Sequence, residues 1–501
     1  MKLRIKEVDV LAAHARAMLN TEDAIELGVK EGERILLSGK RPLAVLLNIS
    51  DTLVKKGEIM IATKILGQIG AAEGDEINVT YSPVPESVKS IRKKMDDQKL
   101  TKEEIDGVVR DILESKLSDI EVSAWLTSLY INGMDIEEIA HFTNSMVDTG
   151  ERIRFERTPV FDFHSIGGVP GNKVTPIVVS IVAAAGLMIP KTSSRAISSA
   201  CGTSDFVETF CNIEMEAEQL KEISERVGGV LAWGGSMNLA PVDDMVIRVE
   251  NPLGINPRAQ MLASIMSKKL AMGATHLLMD IPTGPGTKVP TIEMARAYVR
   301  DFMELGEKLG IQVECAITYG DQPVGSAIGP ILEAKECIRV LEGSKHPASV
   351  IEKACGLAGI ILEMGGIPNG TQEAHRILES GEALKKFREI VAAQGGNPNI
   401  TADDLKEGKY KLQVLSTVSG YVHSIDNKEL VQIARAAGAP SDKGAGLLIF
   451  KKKGQYVKSG DVLMEIYADV ESKCQRAKDL SLRMQPIDIE GMLIEKVGRN
   501  I

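Results

Sequence analysis

The chain of 501 residues is 44% hydrophobic and 26% charged, a composition that buries a core and is too apolar for a disordered segment. Its 59 Lys and Arg against 69 Asp and Glu leave a net charge of −10, and aromatic residues make up only 4%. This balance argues against a general attraction to nucleic acid or to anionic membrane, and against a base-stacking platform.

At roughly 100–200 residues per domain, about three domains are expected. The opening MKLRIKEVDV alternates charged and apolar residues and lacks the continuous apolar core of a signal peptide. Over residues 1–84, the segments LRIKEV, RILLSG, LAVLLNIS, EIMIAT and EINVTYS are separated by Gly, Asp and Asn turns, which predicts an N-terminal β-barrel-like domain. SPVPES over 82–87 punctuates the chain as a linker.

The period then changes to 3.6, which predicts a helical domain over 85–155. Thr101 with Glu104 reads as a capping box ahead of Ile105, Val108, Val109, Ile112 and Leu113. A second helix starts near Ser118 and carries Trp125, and a third runs from Asp135 to Gly150.

Residues 156–405 alternate strand, loop and helix. PVFDF leads into a Gly-rich loop, THLLMDI into PTGPGTK, and VECAITY into GDQPVGSAIGP, the pattern of an α/β domain whose functional loops lie at the carboxyl ends of its strands. The longest apolar run, Val174 to Leu187, contains Pro176 and is shorter than the roughly 20 residues a membrane span needs. Residues 406–501 return to strand signals and predict a C-terminal α+β domain. There, GQYVKSGDVL resembles part of a barrel-sandwich carrier, but no Met-Lys-Met attachment site is present, and that reading is rejected. The six cysteines are scattered without CxxC spacing, which fits a reducing cytoplasm.

The densest chemistry lies in the α/β part. In Asp162-Phe163-His164-Ser165-Ile166-Gly167-Gly168-Val169-Pro170-Gly171-Asn172-Lys173 a strand delivers three glycines to a helix N-terminus, where backbone N–H groups and the helix dipole favour an anion. Lys173 is followed by Val174, so this is not a Walker A loop. A second loop, Thr192-Ser193-Ser194-Arg195-Ala196-Ile197-Ser198-Ser199, gathers hydroxyls around one guanidinium, a set suited to phosphate or ribose oxygens, and Gly202-Thr203 opens another helix. An ordinary polar loop is the alternative. Ser264 and Lys268 stand four apart on one helical face, with a solvated lysine pair as the plainer reading, and Lys288 follows a Gly/Pro loop at the end of a strand. His164 could be a base, a phosphate donor or a core histidine. The histidines form no metal-spaced set and no acidic cluster flanks the loops, so a metal-free reaction using phosphate fits better than a kinase or ATPase.

HSIGGVPGNK, PKTSSRAISSACGT, WGGSMNLAPVDD, LASIMSKKLAMGATHLLMDIPTGPGTKV and ITYGDQPVG, in this order, resemble the thymidine/pyrimidine-nucleoside phosphorylase family, type 2, and within it the long archaeal branch. The resemblance covers essentially the whole chain. It implies a β-barrel-like N-terminal domain, a helical bundle plus α/β phosphorylase core with the active site between them, and a C-terminal domain. It further implies phosphorolysis of AMP to adenine and ribose 1,5-bisphosphate, with inorganic phosphate as co-substrate and no other cofactor. By motif match the nucleotide-binding positions fall on Gly168, Ser194, Arg195, Ala196, Ile197, Ser198, Ser199, Thr203, Ser264 and Lys288.

The short nucleoside phosphorylases of the family carry Lys at the place of Phe163, which disfavours a plain thymidine or pyrimidine nucleoside phosphorylase. The family's proposed proton donor, a carboxylic acid, falls on Asn256, and an amide cannot deliver a proton. Asp243 or Asp244 is one replacement, water another, and a catalytically impaired nucleotide-binding assembly protein the remaining reading. A cytoplasmic homodimer that assembles into a larger homo-oligomer completes the expectation.

Overall fold

The computed structural model describes residues 1–9, 16–40, 42–196 and 199–492. They form two compact units, Met1–Gly150 with Ala240–Ser267, and Glu151–Leu239 with Lys268–Ile501.

The first unit opens with six strands, β1 (Lys2–Val8), β2 (Arg16–Leu19), β3 (Arg34–Ser38), β4 (Leu43–Ile49), β5 (Glu58–Ala62) and β6 (Glu76–Tyr81). They close into a barrel in the order β1-β5-β2-β4-β3-β6, which leaves no unpaired edge. Strict alternation turns Leu3, Ile5, Ile35, Leu37, Ile77 and Val79 into the barrel core. The sequence reading found five of these strands and missed β2. Its residues, Arg-Ala-Met-Leu, are helix formers, and pairing with β4 and β5 overrides that preference.

Four helices follow, α1 (Ser87–Met95), α2 (Lys102–Leu113), α3 (Asp119–Asn132) and α4 (Ile136–Val147). Thr101 with Glu104, Ser118 with Glu121 and Asp135 with Glu138 form complete capping boxes at the starts of α2, α3 and α4. The apolar stripe Ile105, Val108, Val109 and Ile112 is buried, and Trp125 meets Phe142 edge to face at 5.7 Å. A helix over Pro241–Leu253 packs on α2 and α3 and ends at Gly254 in the left-handed conformation. After Pro257 the chain enters the Arg258–Ala271 helix, whose residues up to Ser267 belong to this unit.

In the second unit, β7 (Phe161–Ser165), β8 (Ile189–Ser193), β9 (Gly229–Trp233), β10 (His276–Thr283) and β11 (Gln312–Tyr319) supply the parallel sheets. The order β11-β10-β7 is parallel throughout, β8 pairs parallel with β9, and a bridge from Val160 to Met188 connects the two sets. The long apolar run is α5 (Thr175–Ala184), buried from Thr175 through Ala183, which is why its sequence shows no amphipathic period. Its side chains share a core with Phe161, Phe163, Phe210 and Phe387. The hydroxyl loop leads into the short α6 (Thr203–Val207), and α7 (Pro330–Leu341) and α8 (Ala348–Met364) follow β11, with α8 packed on β10.

A two-residue strand, β12 (Ala327–Ile328), starts the C-terminal part, which adds β13 (Tyr410–Leu415), β14 (Gly420–Ile425), α9 (Asn427–Ala437), β15 (Gly446–Ile449), β16 (Tyr456–Val457), β17 (Val462–Ala468), α10 (Glu471–Met484) and β18 (Ile487–Glu490). Because β12 pairs with β15 in the sheet β12-β15-β17-β13, this part is seated directly on the α/β core. The architecture is thus the expected barrel, helical bundle, α/β core and α+β tail. No described helix is long and apolar enough to cross a membrane.

Candidate active site

Three loops of the second unit leave the carboxyl ends of its strands β7, β8 and β10. Between β7 and α5, Gly167, Gly168 and Gly171 take φ values of 86°, 92° and 72°, a left-handed backbone that favours glycine. A Cβ on Gly168 would lie 2.7 Å from the backbone nitrogen of Lys288, so this loop rests against the one that follows β10. Asp280 on β10 fixes the arrangement from below. Its carbonyl accepts the Ile166 N–H at 3.0 Å, and its buried carboxylate accepts from the Thr318 hydroxyl at 2.5 Å and from Lys353 at 2.9 Å. Lys173, although it ends the motif, is fully buried and donates to Glu336 at 2.5 Å and to the Val324 carbonyl at 2.9 Å, so it holds the fold and not a ligand.

Beside the glycine loop lies a cluster that sequence reasoning missed. Asp162 on β7 is 1% exposed and receives Lys269 at 2.7 Å, with Lys191 on β8 3.7 Å from its other oxygen. Two buried ammonium groups therefore share one carboxylate. Burial first, and then the neighbouring Lys269, push the Lys191 amine down to about 7. His164, two residues along β7, is held well below the ordinary imidazole range by burial and by the fields of Lys269, Lys191, Lys268 and Lys288. The imidazole is neutral at physiological pH, and the surplus charge around it is positive. Such a cluster favours an anion nearby, since an anion supplies countercharge that one carboxylate does not. The signal was in the sequence as Lys191 in PKTSSR and Lys269 in SKK, but nothing local marks either lysine as buried.

The hydroxyl loop runs from β8 to α6. Ser194 is exposed and Arg195, Ala196, Ser199 and Thr203 are half-buried, while Ile197 and Ser198 lie outside the described residues. Asp205 ties its ends together by accepting the N–H groups of Ala196 at 2.6 Å and Gly202 at 2.8 Å. Arg195 is expected to grip an anion, and in the structure its side chain is engaged by other residues. Its guanidinium pairs with Glu208 at 2.5 Å and Glu214 at 3.0 Å and stacks on Trp233 at 4.8 Å, where it lines a surface cavity of about 380 Å³. Two carboxylates share its charge.

Lys288 is exposed on its loop, whose turn is closed by the Thr287 hydroxyl, 2.8 Å from the carbonyls of Gly284 and Val289. In the first unit, Ser264 donates to Asp243 at 2.7 Å and Gln260 donates to the other oxygen of the same carboxylate at 2.9 Å. Asp243 is fully buried, and its arrangement serves to orient Ser264. Asp244 is exposed, as is Asn256 in the link between the two helices.

Residues 88–150 match the helical bundle domain of the glycosyl transferase family, 157–384 its a/b domain, and 421–487 the pyrimidine nucleoside phosphorylase C-terminal domain. The AMP phosphorylase of Thermococcus kodakarensis is 49% identical over 502 residues, across 99% of this chain and 100% of its own. The chain belongs to the AMP phosphorylase family. AMP phosphorylase 1 of Archaeoglobus fulgidus is 49% identical over 484 residues, 96% of each chain, and the AMP phosphorylase of Methanococcoides burtonii 46% over 500 residues, 99% of each. In fold, the crystal structure of anthranilate phosphoribosyltransferase from Thermus thermophilus superposes with a TM-score of 0.52 at 21% identity, over 61% of this chain and 99% of that one. Membership makes the protein a glycosyltransferase of the phosphorylase type.

Two positions gain meaning within the family. Phe163, where the short nucleoside phosphorylases carry lysine, is 1% exposed in the core cluster of α5, so the positive charge of this unit's site comes from Lys191, Lys269, Lys268 and Lys288. Asn256 retains an amide where the family resemblance places an acid.

Proposed function

We propose that the protein catalyses phosphorolysis of AMP. An oxygen of inorganic phosphate attacks C1′ of the ribose, the bond from C1′ to the adenine N9 breaks with its electron pair going to the base, and the sugar leaves as ribose 1,5-bisphosphate. The observation that carries this reading is the pair of buried lysines, Lys191 and Lys269, on the single carboxylate of Asp162, alongside the names of the relatives. That pair suits the attacking phosphate, and Lys288 with the hydroxyl loop adds capacity for a substrate that brings a phosphate of its own.

In this reading Lys191 and Lys269 attract the attacking phosphate, and the backbone of Gly168 and the loop from Ser194 to Thr203 hold the nucleotide with Lys288. Ser264 is set by Asp243. The 5′-phosphate supplies binding energy far from the reacting bond, part of which orients C1′ for attack. The lysines provide the charge that a metal supplies to kinases, so inorganic phosphate is the only partner the reaction requires. By the family resemblance Asn256 stands where an acid would serve the departing base; an amide delivers no proton, and the proton comes from water. We place the enzyme in the cytoplasm, consistent with six unpaired thiols, and assign it a homodimer that assembles further. Ile120, Tyr130 and Ile131, exposed on α3, are apolar side chains such a contact would cover.

Product analysis tests the proposal. With AMP and phosphate, phosphorus NMR shows a sugar carrying two phosphates and an equal yield of free adenine. A product with a single phosphate, or no base release from AMP, contradicts it.

A further inference from the structure

The hydroxyl loop between β8 and α6 is held from outside the α/β core. Ala200 is 1% exposed and belongs to the hydrophobic core of the C-terminal part, with Leu430, Ile433, Ala434 and Leu447. The residue before it is gripped from the same side, since Arg435 on α9 donates from Nη1 to the Ser199 carbonyl at 3.0 Å. The third contact is ionic. Lys443, between α9 and β15, pairs with Glu208 and lies 3.9 Å from Asp205, with the carboxyl side chains 17% and 5% exposed.

These carboxylates are the ones that shape the loop. Asp205 accepts the N–H groups of Ala196 and Gly202, and Glu208 takes the guanidinium of Arg195. The loop is also closed tightly upon itself, because a Cβ on Gly202 would come within 2.7 Å of both the Ala196 nitrogen and the Ser194 carbonyl oxygen. Removing the Lys443 ammonium takes the nearby cation from Asp205, which keeps its two backbone donors, and leaves Glu208 to Arg195, a guanidinium that Glu214 also claims, so both carboxylates would relax by moving apart or toward water. Either motion shifts the backbone they hold.

We propose that Arg435 and Lys443 are positioning residues that set the nucleotide-binding backbone at Ser194–Ala196 and Ser199–Thr203, which makes the C-terminal part a component of the substrate site. The proposal rests on the reading that this loop carries AMP. A displacement of about 1 Å in a substrate-positioning element can cost on the order of 10²-fold in rate, so contacts of this kind govern activity without touching substrate.

The test compares the full-length wild type with the double variant Arg435→Ala/Lys443→Ala and the conservative double variant Arg435→Lys/Lys443→Arg. Titration calorimetry gives Kd separately for AMP and for inorganic phosphate, with a thermal melt on each protein. The expected result is an AMP Kd weakened about tenfold in the alanine pair, a phosphate Kd within twofold of wild type, and recovery of most of the AMP affinity in the conservative pair. Arg435→Ala alone, a substitution at an exposed residue, reads the same shift at smaller size if the pair fails to fold. An AMP Kd within twofold of wild type in folded variants overturns the proposal while leaving the loop assignment intact. So does an equal weakening for both ligands, or a lowered melting temperature with an unchanged AMP Kd, since each is what a merely structural role gives. A wild-type chain that binds no AMP removes the loop assignment and this proposal together.

Discussion

Substituting Asp162 by Asn tests the electrostatic reading of the lysine cluster. Asparagine keeps the shape and can still accept the Phe163 N–H that Asp162 takes at 2.7 Å, so the change removes charge and little else. At an effective dielectric of about 20, unit charges 2.7 Å apart attract by about 6 kcal/mol, and at 3.7 Å by about 4.5 kcal/mol. Desolvation already offsets part of this in the wild type, and breaking a buried pair costs about 3–5 kcal/mol in practice.

We therefore expect Asp162→Asn to destabilise the protein by about 3–5 kcal/mol at pH 6, where Lys191 carries its charge. Lys191 has its amine pushed down to about 7, so at pH 9 it is neutral, its repulsion with Lys269 is gone, and the gap to wild type narrows. On the proposed reading, phosphate should raise the melting temperature of the variant more than that of the wild type, because removing the carboxylate leaves more positive charge for it to offset. The gain is about 2.7 kcal/mol at a concentration 100 times Kd. Urea titrations followed by circular dichroism at both pH values, with and without phosphate, read these differences. A gap below about 1 kcal/mol at pH 6, the size of an exposed ion pair, refutes the reasoning, as does a gap that widens toward pH 9.

Lys191→Arg replaces the titrating amine by a cation that keeps its proton. The ratio of wild-type to variant KM for phosphate should rise up to about tenfold between pH 6 and 8.5, as Lys191 loses its charge, and a flat ratio contradicts this. Asn256→Asp introduces a group able to protonate the departing base. Since a positioned general acid contributes about 10²–10⁴-fold, kcat on AMP should rise at least tenfold with KM little changed. No gain, together with robust wild-type turnover, shows that position 256 only shapes the base site.

Much of the fold was legible in the sequence because the signals were local. Thr101, Ser118 and Asp135, each three residues ahead of a glutamate, cap the helices they announced, and Gly168 stands where the close approach of Lys288 leaves no room for a side chain. What escaped depends on residues distant in the chain. Lys269 reads as half of a solvated pair with Lys268, yet it is 2% exposed because Asp162, more than a hundred residues earlier, lies against its face of the helix. Arg195 sits among hydroxyls in a composition that announces an anion, but Glu208 and Glu214 fold back onto it. β2 depends on partners on both sides. In each case tertiary pairing supplied the deciding energy.

The central claim is that this enzyme works on a nucleotide and uses the 5′-phosphate. Its most direct test is kcat/KM for AMP, adenosine and thymidine at saturating inorganic phosphate, following release of the free base. The account predicts that AMP exceeds adenosine by at least about 10²-fold, the worth of two charge-assisted hydrogen bonds to the 5′-phosphate, with thymidine lower still. Turnover of thymidine or adenosine equal to or above that of AMP would contradict it.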